Sequence, residues 1–192
     1  LYGSYLGDKG HYVDIVARHS RMNTDLISYA TGTGAKVSGD YHNWGSSVGV
    51  EYGRRIALKK GYFVQPQAEL IYGHVGSGSY NLNDGSSVSQ SGVSAWTARG
   101  GVSVGRQTKK GSVYANFSVL HDFGDDSRFT IRDKYGASYS SNTNLKDTWY
   151  ELSIGGNAKL SENTYMYADV EKTFGGDART KWRYNVGVRC SF

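Results

Sequence analysis

Apolar and polar side chains alternate along most of this 192-residue chain. In the closing stretch TKWRYNVGVRCSF, Trp182, Tyr184, Val186, Val188, Cys190 and Phe192 form one set. Lys181, Arg183, Asn185, Gly187, Arg189 and Ser191 form the other. A period of two places the two sets on opposite faces of a β-strand. The same pattern predicts nine strands, near residues 1–7, 11–22, 43–57, 62–75, 93–107, 112–123, 148–160, 164–174 and 180–192. In 148–160, Tyr150, Leu152 and Ile154 oppose Glu151, Ser153 and Asn157. In 62–75, Val64, Ala68 and Leu70 oppose Gln65, Gln67 and Glu69, and in 164–174, Met166, Ala168 and Val170 oppose Tyr167, Asp169 and Glu171. Sustained helical periodicity is absent from the sequence.

The connections between these segments fall into two alternating classes. GDKG (7–10), LKKG (58–61), QTKKG (107–111) and LSENT (160–164) are short. Residues 23–42, 76–92 and 124–147 are long, rich in Gly, Ser, Asn and Asp, and read as loops; GGDART (175–180) is of middle length. Short turns on one rim and long loops on the other are the organisation of an outer-membrane barrel. A soluble β-sandwich has no reason to sort its loops this way.

Alternation alone does not say which face is inside. A soluble barrel would turn the apolar face inward. Three features favour the inverse. Opposite charges occupy the polar face on different strands, suited to a narrow hydrated interior. Aromatics lie near the ends of the apolar face, as an interfacial girdle requires. The segments run to ten residues or more, which matches tilted membrane strands better than soluble ones. In hydrocarbon every backbone polar group needs a partner, so such strands form a closed barrel.

Composition fits this reading. Hydrophobic residues make up only 38%, too few for a conventional core, while Tyr numbers 16 and Gly 26. The formal charge is +5, but the Lys and Arg residues occur through alternating strands and turns instead of clustering in a basic stripe, so nucleic acid is not an expected partner. One cysteine, Cys190, excludes an internal disulfide framework. Five histidines, His11, His19, His42, His74 and His121, form no HExxH pair, so neither a metal site nor any cofactor is expected. Adjacent His121 and Asp122 raise the alternative of an outer-membrane barrel enzyme, protease-like, with its site in the extracellular loops. However, neighbouring strand residues point to opposite faces. Residue 1 opens an alternating segment directly and the 192 residues hold no signal peptide, so the chain is expected to be a mature form or a fragment.

The blocks YVDIVARHSRMN, VGVEYG and PQAELIYG, and the tail YADVEKTFGG…WRYNVGVRCSF, resemble the C-terminal translocator domain of bacterial autotransporters (type V secretion). The resemblance extends over essentially the whole chain. It implies an all-β transmembrane antiparallel β-barrel of the twelve-strand type, with a helical segment threaded through the lumen. LYGSYL resembles the end of the fourth strand, and the other eight segments correspond to strands five to twelve. Residues 1–192 are thus expected to be a partial barrel domain lacking the lumen helix and first strands. Its N-terminal edge is then open and needs a pairing partner.

The resemblance also implies a function and site residues. The barrel would anchor in the outer membrane of a Gram-negative bacterium and assist export of an N-terminal passenger, as a truncated form or as a substrate of the barrel assembly machinery. Implied partners are outer-membrane lipid, that machinery, and the barrel's own passenger and lumen helix. In the serine-protease branch, the acids matching Asp14, Glu51 and Glu69 line the lumen where an asparagine of the helix cleaves the chain. That asparagine would lie outside this chain, so no enzyme activity is expected of the chain alone. The plainer reading pairs these acids with interior cations. Lumen-lining residues on this view include Arg18, Gln67, Arg99, Glu151, Asp169, Glu171, Arg183 and Arg189. The tail Asn185, Gly187, Val188, Cys190 and Phe192 resembles the signal read during barrel assembly. Cys190 stands where an aromatic is expected. It is either natural variation to a small hydrophobe or an introduced thiol placed for a disulfide crosslink to a neighbouring strand.

Overall fold

The computed structural model describes residues 1–30, 32–177 and 181–190. Its strands are β1 (Tyr2–Leu6), β2 (His11–Tyr29), β3 (Lys36–Arg54), β4 (Ile56–Ala57), β5 (Tyr62–Val75), β6 (Gly78–Asn81) and β7 (Ser87–Gln90). They continue as β8 (Val93–Thr108), β9 (Gly111–Asp122), β10 (Ser127–Arg132), β11 (Ser138–Thr143), β12 (Asp147–Lys159), β13 (Thr164–Gly175) and β14 (Arg183–Cys190). All nine expected segments are present. They pair antiparallel in chain order, β1-β2-β3-β5-β8-β9-β12-β13-β14, and β4 pairs with β5 beside them. β1 and β14 stand at the two edges of that order.

Register keeps the two faces separate across the whole sheet. Val64, Val104, Ala115, Ile154 and Val170 fall in one cross-strand row of the apolar face. Glu51, Glu69 and Arg99 fall in one row of the polar face. A slip of one residue in any strand would exchange these faces. Aromatics meet between strands on the apolar side, Tyr72 tilted against Trp96 with centroids 4.9 Å apart and Tyr150 stacked on Phe174 at 5.8 Å.

The burial pattern decides what covers the apolar face. Among the described residues, the only buried hydrophobics are Phe63, Val88 and Leu120. Val186 is 71% exposed, Ile154 59% and Leu152 45%. A sheet of this size with no dry core on either side would expose far more contiguous apolar area than a soluble monomer does. The outer face therefore requires a hydrocarbon solvent, which is the inverted arrangement expected from the sequence.

The three long connections differ from expectation. They were expected as loops, and each contains strand. β2 and β3 run on as one hairpin to the pair Tyr29 and Lys36, through residues 23–29 and 36–42. Residues 76–92 hold β6 and β7, and 124–147 hold β10 and β11. Pairing of β7 with β10, Ser87–Gln90 against Phe129–Arg132, joins two separate connections into a four-stranded sheet in the order β11-β10-β7-β6. Here Val88 is the one fully buried strand residue and the other positions are partly or fully exposed, so Ser, Asn and Thr occupy both sets and the period of two leaves little trace in the sequence.

The β6–β7 turn fastens this sheet to the β2–β3 hairpin. Asn83 donates its backbone N–H to the Ser38 carbonyl (3.0 Å) and accepts the Ser38 N–H on its side-chain oxygen (2.9 Å). Tyr41 stacks on Tyr80 with centroids 4.6 Å apart. Asp84 accepts the Ser86 N–H at 2.9 Å, and this bond holds its carboxyl below the usual carboxylate range. A depressed folded pKa means that the contribution is present above the unfolded value of about 3.9 and is lost as pH falls through the lower folded value. The Ser86 amide should therefore keep its hydrogen-exchange protection, corrected for intrinsic rate, down to that acidic window and lose it below. Asp84→Asn should remove the pH dependence, and a wild-type profile in that variant would refute the assignment.

Candidate functional site on the polar face

The site grows from five neighbouring strands whose polar rows converge. Glu51 on β3 and Glu69 on β5 are direct cross-strand partners, and Arg99 on β8 is opposite Glu69. Two carboxylates side by side repel unless a cation lies between them. Arg99 supplies it, with Nη2 bound to Glu51 Oε2 and, at 2.8 Å, to Glu69 Oε2. All three side chains are about one-fifth exposed. Neighbouring strands lie about 4.8 Å apart, so the Arg99–Glu51 contact reaches over β5 on the polar side.

Tyr12 on β2 does the same over β3. Its hydroxyl donates to Glu51 Oε1 at 2.6 Å and accepts from Gln65 Nε2 at 3.1 Å. The ring lies on Gly53, where a Cβ would overlap it. A larger residue at 53 would push the phenol off Glu51. Gln67 Nε2 donates to Asn116 Oδ1 at 3.3 Å across β8. Asn116 Oδ1 also accepts from Ser103 at 2.9 Å, and Asn116 Nδ2 donates to Ser118 at 3.1 Å. The result is one hydrogen-bonded band from β2 to β9, with Glu51 held by a phenol and a guanidinium together.

The band is flanked by smaller groups. Asp14 accepts from Ser4, whose hydroxyl also meets Tyr2, so Asp14 is held by β1 and not by a cation. On the other flank, Arg183 Nη1 pairs with Glu171 at 2.9 Å, and Asn185 Nδ2 donates to Asp169 at 2.9 Å. Glu151 accepts from Trp149 Nε1 at 3.3 Å. Thus Asp14, Arg18, Glu51, Gln67, Glu69, Arg99, Glu151, Asp169, Glu171, Arg183 and Arg189 share the polar face by register. Arg18 and Arg189 form no ion pair with a described carboxylate. Tyr12, Gln65, Ser103 and Asn116 were not singled out from sequence. Their signal is spacing, since Tyr12 stands two before Asp14 and Gln65 two before Gln67.

On β14, Asn185 and Gly187 belong to the polar face, and Val188 and Cys190 to the apolar one. The Tyr167 ring of β13 lies on Gly187, repeating the contact at Gly53. Cys190 is a free, exposed cysteine, with the Thr164 hydroxyl 3.9 Å from its sulfur. Phe192 lies outside the described residues. His121 and Asp122 do point apart. His121 Nδ1 meets Thr148 Oγ1 at 2.7 Å on the apolar face, while Asp122 accepts from Thr97 at 3.3 Å and from the Gly124 N–H at 2.7 Å. Nothing in this geometry sets up an acid–base pair.

Comparison with known proteins gives a consistent answer. The sequence profile of the autotransporter beta-domain matches residues 1–171. The chain is similar to the pertactin autotransporter of Bordetella parapertussis, 33% identical over all of this chain and 21% of that protein. It is similar to the autotransporter adhesin/invasin TibA of Escherichia coli O78:H11, 26% identical over all of this chain and 19% of the other. It thus spans about a fifth of the length of these relatives. Among solved structures, the crystal structure of the β domain of the Bordetella autotransporter BrkA superposes with a TM-score of 0.72 at 26% identity, covering all of this chain and 71% of that one. A polar band inside, an apolar face without a core of its own and these matches lead to one conclusion: the chain belongs to the autotransporter beta-domain family, the outer-membrane translocator barrels of Gram-negative bacteria.

Proposed function

We propose that this chain anchors its parent protein in the outer membrane and assists export of an N-terminal passenger, with the barrel assembly machinery as its folding partner. The observation that carries the reading is the hydrogen-bonded band from Tyr12 to Asn116. It gives the lumen a wall of fixed donors and acceptors that a polar backbone can slide along without leaving its hydrogen bonds unmade. Asp14, Glu51 and Glu69 would face the threaded segment. Glu51 and Glu69 share one cation, so their free acceptor capacity suits an amide or cationic side chain on that segment. On a threaded segment carrying the asparagine that the resemblance to the serine-protease branch implies, the same acids would orient it for cleavage. The tail residues Asn185, Gly187, Val188, Cys190 and Phe192 would be read during insertion. Cys190, exposed on that edge strand, is where a crosslink to a neighbouring strand would form.

The test uses the full-length parent protein in intact cells. Deleting residues 1–192 should leave the passenger shielded from protease added outside. Phe192→Ala should lower the amount of inserted barrel severalfold while leaving the passenger sequence untouched. A passenger that reaches the surface without residues 1–192 would overturn the reading.

A further inference from the structure

The formal charge is not spread evenly over the fold. The short connections, residues 7–10, 55–61, 109–110 and 160–163, carry six Lys and Arg against two carboxylates. The long connections, 30–35, 76–92, 123–146 and 176–182, carry six against five. The remaining residues, which form the strands, hold ten of each sign. Nearly all of the net positive charge therefore stands at the short-turn rim.

Directly beside that rim, the apolar face is grooved. Leu58, Tyr62, Val104, Val113, Ala115 and Ile154 line a trough of about 570 Å³. Its origin is one small residue, because Ala115 lies in register between Val104 and Ile154. Arg106 also lines it, in register between Tyr62 and Val113 on the rim side. Its guanidinium lies 5.3 Å from the Tyr62 ring centroid, and its Nε donates to the Lys60 carbonyl at 3.3 Å. These contacts fix a cation at the mouth of the trough, with Lys59, Lys60, Lys109 and Lys110 on the adjoining turns, all exposed.

We infer that the trough and its cationic mouth form a binding site for one anionic phospholipid of the leaflet facing the short turns, with an acyl chain along Ala115 and the phosphate at Arg106 and Lys60. The inference rests on the membrane placement of the barrel and is independent of passenger export. An apolar slot that ends in fixed positive charge complements a lipid that carries its charge at one end. The long-connection rim, nearly balanced in charge, offers no such match.

The experiment is native mass spectrometry of the full-length parent protein, extracted in non-ionic detergent and mixed with phosphatidylglycerol or phosphatidylcholine of identical chains. The unaltered protein should retain phosphatidylglycerol about thirtyfold better, as two cations near a lipid surface imply. Arg106→Gln with Lys60→Gln should erase that preference, and Lys134→Gln on the opposite rim should leave it intact. Ala115→Trp fills the trough and should lower retention of both lipids. Heat-dependent gel mobility verifies that each variant is folded. If the double variant does not fold, Ala115→Trp and Lys134→Gln decide the matter alone. Equal retention of the two lipids by the unaltered protein, unchanged retention in Ala115→Trp, or an equal loss in Lys134→Gln overturns the inference.

Discussion

Ile154→Arg should destabilise the folded barrel in lipid vesicles by about 2–4 kcal/mol, the cost of an arginine near the bilayer midplane. Ile154 is 59% exposed on the apolar face and in register with Ala115 and Val170. If water covered that face, an arginine at such an open position would change stability by no more than about 0.5 kcal/mol. The two solvents thus predict different outcomes for one substitution. Urea unfolding of the vesicle-inserted protein measures it, with Ile154→Leu as the conservative control. A midpoint unchanged by the arginine would mean that hydrocarbon does not touch this face.

Arg99→Met acts on the opposite side of the same sheet. It leaves Glu51 and Glu69 adjacent, with no cation between them. Removing one partner from a fully buried ion pair costs about 3–5 kcal/mol. These side chains are about one-fifth exposed, and interior water screens them, so about 1–3 kcal/mol is expected. Adding Glu51→Gln and Glu69→Gln to Arg99→Met should recover most of it, because the repulsion disappears with the charges. Urea midpoints of the single and triple variants form the comparison. Equal midpoints for the two would show that the triad contributes packing and no electrostatics.

The nine spanning strands were legible because one face meets hydrocarbon and the other meets water, and that contrast writes a period of two into the sequence. The contrast ends where the membrane ends. Beyond Met22 most of β2 is exposed on both faces, and in β11 Ser, Tyr, Asn and Thr follow one another with only Ser141 partly covered. Strand formation there depends on ladder bonds and turns, which composition does not reveal. At the site, the acids and Arg99 were legible as alternate polar positions. Their partners were not, because pairing depends on register. Tyr12 is the clearest case: an aromatic two places before Asp14 fits either a girdle or an interior. Gly53, far along the chain on the neighbouring strand, is what lets the ring lie inward.

The small sheet joining residues 76–92 to 124–147 changes what an antibody would meet outside the cell. Its centre is the seam of β7 and β10, strands contributed by different connections. The surface around that seam is a discontinuous epitope. A synthetic peptide copying either segment alone lacks half of the footprint and the backbone pairing that flattens it, so sera raised on such peptides should recognise denatured protein better than intact cells.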